Sequence, residues 1–179
     1  MQITLTATPE DHRIAKMAAL AIGLSVAEAA IPSPLPGVKP GLANIITLLV
    51  LQRYGLGSAI WVSLLRVVAG SLILGTFLAP SFVLSASGAL ASLAVLAITR
   101  HLPATLFGPV SLSVFGSFAH IAGQLAIVYL WLIPHAGLAY LVPIFAAAAL
   151  LFGAVNGLIA ARLLTVDETR SAEEPAAVS

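Results

Sequence analysis

Apolar runs, most about as long as a bilayer core is thick, recur along this chain and are separated by short polar or proline-marked breaks. A membrane-crossing helix needs about 20 predominantly apolar residues. Arg13 and Lys16 lead into a first run from Met17 to Ile31, and a break at residues 32–40 follows. A short run from Gly41 to Gln52 precedes Arg53-Tyr-Gly-Leu-Gly57. Further runs cover Ser58 to Phe77, Ser81 to Thr99, Pro109 to Ile133 and Gly137 to Leu164. The pattern predicts an all-α membrane protein, a six-helix transmembrane bundle over residues 14–164. Residues 1–13 read as a short tail, and residues 165–179, charged and without apolar periodicity, as a disordered one. Ala27-Glu28-Ala29 has the small-x-small form of a signal-peptide cleavage site. Glu28 within it and the turn that follows fit a retained helix better.

Composition agrees with the pattern. The 179 residues are 60 % hydrophobic and 8 % charged, with mean hydropathy +1.06, whereas soluble domains carry about 25 % charged residues. With the N-terminus inside, Arg13, Lys16, Arg53, Arg100, Arg162 and Arg170 fall on the inner side and Lys39 alone falls outside. That asymmetry predicts both termini in the cytoplasm of a multi-pass protein and the 32–40 break on the outer face. The net charge of +1 and the lack of a basic stripe with interleaved aromatics give no sign of a nucleic-acid partner, and the absence of cysteine removes thiolate chemistry.

The break has a composition of its own. Pro32, Pro34, Pro36 and Pro40 remove amide donors and fix φ, so no helix runs through it, and it carries Lys39. It reads either as a rigid hairpin or as a substrate-contacting loop. Beneath it lie polar side chains at membrane depth. Arg66 is expected near the midplane with Gly70 on the same face, His120 and Gln124 share a face of a later helix, and Asn44, Ser85, Ser87 and Glu28 lie toward outer helix ends. Asn156 is expected deep toward the inner side. Intramembrane ionisable residues are costly and default to functional roles. Lys39, Asn44, Arg66, Ser85, Ser87, His120 and Gln124 are therefore candidate binding residues for a small anionic or amphipathic molecule. An Arg66–Glu28 ion pair tying two helices together is the structural alternative. Ala15, Ala19, Gly23 and Ala27 recur every four residues, a ridge of small side chains that either packs within the bundle or docks a separate membrane protein.

Catalytic signatures are lacking. There is no G-x-x-x-x-G-K-[ST] phosphate loop, no Ser-His-Asp arrangement and no carboxylate cluster to hold Mg²⁺ against a diphosphate. Asp11 and Asp167 are the only aspartates, and no metal or cofactor is expected.

Pro36-Gly-Val-Lys-Pro-Gly-Leu-Ala-Asn-Ile45, Arg66-Val-Val-Ala-Gly-Ser-Leu, Pro80-Ser-Phe-Val-Leu-Ser-Ala-Ser-Gly88 and His120-Ile-Ala-Gly-Gln124 resemble a bacterial family of small membrane proteins. That family is labelled heptaprenyl diphosphate synthase component I and also Gx transporter family, and it is grouped with the S components of energy-coupling-factor (ECF) transporters. The resemblance implies a six-helix S-component-like fold in the cytoplasmic membrane with an outward pocket. Ala15, Ala19, Gly23 and Ala27 would then dock an ECF coupling protein, and partner ATPases would supply the energy. The synthase label implies instead a non-catalytic membrane subunit beside a separate prenyl diphosphate synthase.

Overall fold

The computed structural model describes residues 7–31, 41–103 and 107–173, with side chains described as far as Val166. Five α-helices are present among them: α1 (Pro9–Ala30), α2 (Leu42–Ile73), α3 (Pro80–Thr99), α4 (Pro109–Ile127) and α5 (Val142–Glu173). A π-helical turn over Val128–Leu132 extends α4, a 3₁₀ segment over Ala136–Leu141 leads into α5, and no strand occurs among the described residues. Four stretches are long and apolar enough to cross a membrane: Leu42–Ile73, Pro80–Thr99, Pro109–Leu132 and Ala136–Val166. α1 carries Glu10, Asp11, Arg13, Lys16 and Glu28 and is not one of them.

The expectation of six helices is corrected to five, and the difference lies at one residue. The runs expected as separate second and third spans form the single element α2, interrupted at Gly55, whose φ of 83° and ψ of −177° are non-helical. That region is essentially confined to glycine. A straight helix would separate Gly41 from Gly70 by about 43 Å, yet both line one cavity. The two limbs of α2 therefore run antiparallel, with Gly55 at the reversal.

Limb length shapes everything above it. Residues 42–54 make a limb of about 20 Å, against a hydrocarbon core of about 30 Å. Its Tyr54 end lies at the same end of the bundle as the N-terminal turns of α1, where Ser58 Oγ lies 3.5 Å from Glu10 Oε1 and the Arg13 guanidinium lies 5.4 Å from the centre of the Tyr54 ring. Its other end stops roughly 10 Å short of the opposite face. Ile45, Ile46, Leu48, Val50 and Leu51 are buried in this limb and form the core with Ala18 and Ala21 of α1, Val62 of the second limb, Leu93 and Leu96 of α3 and Leu112 of α4. The longer elements surround it and leave a well over its end.

Glycines bring α3, α4 and α5 together. A Cβ on Gly123 would lie 2.7 Å from the Ser87 carbonyl oxygen, and one on Gly157 would lie 2.6 Å from Val110 Cα. Gly153 faces Val114 Cα at 3.0 Å by the same construction. Backbones in such contact admit no side chain between them, the means by which apolar helices associate in lipid.

A polar cavity over the short limb

The well is a cavity of about 410 Å³ lined from all five helices. Ser25 and Glu28 come from α1, Asn44 from the first limb of α2, and Arg66, Gly70 and Ser71 from the second. α3 supplies Phe82 and Ser85, α4 supplies Ser117, His120 and Gln124, and α5 supplies Phe152 and Asn156. Three of these share a level for a simple reason. Asn44 and Arg66 each lie eleven residues from Gly55, and His120 lies eleven residues from Pro109. Each is thus about 16 Å along its helix from the same end of the bundle.

Arg66 is the one guanidinium among the described lining residues. Its side chain is 8 % exposed, and it makes no hydrogen bond or direct ion pair with any described residue; its Nε is buried without a partner. Buried donors are nearly always satisfied, and an exception points to an unoccupied role. Glu28, 6 % exposed, lies near enough to act on the guanidinium through space. Its carboxylate is engaged elsewhere, with Oε1 accepting from the Gly41 amide. Gly41 has φ of 72°, a left-handed conformation suited to glycine, and begins α2. Asn156 Nδ2 donates to the Gly41 carbonyl at 3.2 Å, so α1 holds the amide of this residue and α5 its carbonyl.

His120 and Gln124 meet through their side chains at 3.2 Å, Nε2 to Nε2. With the Gln124 amide donating, the imidazole carries its proton on Nδ1, an atom buried without a partner. The ring rests on Gly88, where a Cβ would lie 2.7 Å from Nε2. A second void of about 20 Å³ lies beneath, bordered by Asn44, Thr47, Ser92, Ser113 and Ser117. It has room for about one water, and Thr47 Oγ1 beside it has no protein partner.

Of the candidate binding residues, Asn44, Arg66, Ser85, His120 and Gln124 line the cavity. Ser87 does not; its hydroxyl donates to the Leu84 carbonyl at 2.9 Å and its backbone packs on Gly123. Lys39 lies outside the described residues. Asn156, expected apart from the other polar residues, lines the cavity with them, its side chain held by the Gly41 carbonyl. Glu28, Ser71, Ser117 and Phe152 join the lining without having been singled out as binding residues. Ala15, Ala19, Gly23 and Ala27 all lie on an exposed face of α1, and a Cβ on Gly23 would meet nothing within 4 Å. No internal helix uses that ridge among the described residues.

The chain matches the family described as heptaprenyl diphosphate synthase component I over residues 17–163, and it belongs to that family. No curated protein and no solved structure matches it.

Proposed function

We propose, from that membership and the cavity, that this protein is a non-catalytic membrane component of a polyprenyl diphosphate system that binds a small amphiphile with an anionic group at Arg66. The observation that carries the reading is a buried guanidinium, without a protein partner among the described residues, on the wall of a 410 Å³ cavity. Guanidinium forks bind carboxylate or phosphate in pairs of charge-assisted hydrogen bonds. Asn44, Gln124, His120 and Ser85 supply further polar contacts, while Val67, Phe82 and Phe152 offer an apolar wall. At about 410 Å³ the cavity lies toward the lower end of the range of small-molecule sites, roughly 300–1,000 Å³, so the enclosed ligand group is a short one, and a separate synthase partner would make the long chain.

A second reading, a substrate-binding component of ECF-type uptake, is favoured by two observations. The cavity lies toward the end of the bundle away from the α1 N-terminus, the outer side if both termini are cytoplasmic. The small-residue ridge of α1 is free on the surface, as a docking face for a membrane coupling protein would be.

Thermal stabilisation of the detergent-purified chain, against short isoprenoid diphosphates, vitamins and quinone precursors, tests the cavity. A ligand that raises Tm in the native chain and not in Arg66→Met supports binding at Arg66. A panel that shifts neither protein counts against it. Co-purification from the bilayer then separates the readings, a prenyl synthase supporting the first and an ATPase-linked coupling protein the second.

A further inference from the structure

Two opposite charges share the cavity without meeting. Glu28 and Arg66 are both more than nine-tenths buried, both line the same space, and they form no direct ion pair. Arg66 offers its donors to no described residue, and Glu28 accepts on Oε1 from the Gly41 amide alone. From this we infer that the ligand is a small zwitterion or equivalent: an anionic group on Arg66 and a separate cationic or hydrogen-bond-donating group facing Glu28. The inference rests on the cavity being a binding site, as proposed above, and narrows its ligand class.

The charge balance is the reason. Among the described lining residues stand one guanidinium, one carboxylate and the imidazole of His120. A diphosphate would bring several negative charges to a single fixed cation and place them beside a buried carboxylate. Like charges in a low-dielectric site repel strongly, while buried charges are tolerated when each is paired. A ligand with separated ends pairs both. Glu28 also anchors Gly41 at the start of α2, and that role leaves its negative charge in the cavity wall.

The test uses the full chain in detergent and titration calorimetry with four probes: 4-aminobutyrate, 8-aminooctanoate, octanoate and isopentenyl diphosphate. Native protein is expected to bind an ω-amino acid roughly tenfold or more tighter than octanoate, the effect of one charge-assisted hydrogen bond, and to bind the diphosphate weakest. Glu28→Gln keeps an acceptor for the Gly41 amide, and its thermal unfolding reports whether that anchor survives. This variant should lose the preference for the amino group and gain affinity for the diphosphate. If native protein prefers the diphosphate, or if Glu28→Gln changes all four affinities alike, the charge inference is overturned while binding in the cavity stands. If no probe binds either protein, the cavity-binding reading fails and takes the inference with it.

Discussion

Replacing Arg66 by methionine should stabilise the unliganded protein. Arg66 is buried, makes no hydrogen bond to any described residue, and has Glu28 only as a neighbour acting through space. A buried donor left unsatisfied costs about 1–3 kcal/mol, more when charged. Methionine fills a similar volume with a flexible apolar chain and removes that cost. For a chain of this size each kcal/mol shifts Tm by about 2–4 °C, so a rise of about 4 °C or more is expected for a gain near 2 kcal/mol. The opposite holds if Arg66 is a strut. Breaking a buried pair by removing one partner costs about 3–5 kcal/mol, a fall of about 10 °C on the same scale. The assay is thermal unfolding in detergent of native protein, Arg66→Met, Glu28→Gln and the double variant. Little coupling in this cycle fits two independently placed charges, whereas contacting partners couple by about 0.5–3 kcal/mol. A large fall in Tm with strong coupling to Glu28 would refute the reasoning. In the same series a ligand that binds native protein should lose roughly a hundredfold or more of its affinity with Arg66→Met, for two charge-assisted bonds.

Gly157→Ala puts a Cβ within 2.6 Å of Val110 Cα, a backbone atom that cannot swing aside, so unfolding should show a loss of about 1–3 kcal/mol. Gly23→Ala, with nothing within 4 Å, should leave Tm unchanged, and a drop there would show that α1 packs differently. Gly55→Ala forces a side chain into φ of 83° and ψ of −177° and should cost about 1–3 kcal/mol, read as lower Tm or as loss of folded protein. Thr8 donates to Asp11 from both its backbone and its hydroxyl, at 2.8 and 2.7 Å, and these bonds hold the Asp11 carboxyl below the usual value of 3.8. A depressed folded pKa means that this capping contribution is present above pH 3.8 and lost as pH falls through the lower folded value. Carboxyl NMR should find Asp11 titrating below the usual 3.8, and Thr8→Ala should move it back up.

The sequence made some of this plain and hid the rest for definable reasons. Arg66, His120 and Gln124 stood out because an ionisable or amide group within an apolar run is conspicuous, and all three line the cavity. The four-residue spacing of Gln124 from His120 foretold a shared helical face, and the side chains touch at 3.2 Å. Asn156 was visible as a polar residue but set apart from the others, because which residues meet it depends on how far the short limb reaches, a tertiary fact. Gly153-Ala-Val-Asn-Gly157 carries a small-x-x-x-small signal that could have set α5 tight against α4. Ser87 has the composition of a site residue and the position of a packing one: its hydroxyl turns back to Leu84. Gly55 lies between Arg53 and Gly57 in a stretch that reads as an interhelical turn, and the structure completes that reversal within α2 at this one non-helical residue.

The cavity follows from an imbalance between helix lengths. A first limb of about 20 Å beside elements of 20 residues or more, or about 30 Å, leaves a gap that something must fill. Apolar side chains would have closed it, as they close the core lower down at Val50 and Val62. Here the facing positions carry Ser71, Ser85, Ser117, His120, Gln124 and Asn156, each of which would be costly against lipid tails. Ser71 is met by the Val68 carbonyl, Asn156 by the Gly41 carbonyl, and His120 and Gln124 by each other; the capacity left over is what water or a polar ligand would satisfy. Arg66 raises the stakes, since no described residue relieves its charge by direct contact. The glycines on α4 and α5 then serve the site as well as the fold. By drawing α5 onto α4 at Gly153 and Gly157 they hold Asn156 against Gly41, and Gly41 is the residue to which Glu28 is bound. A change in how α5 packs is therefore transmitted through Gly41 to the carboxylate wall of the cavity.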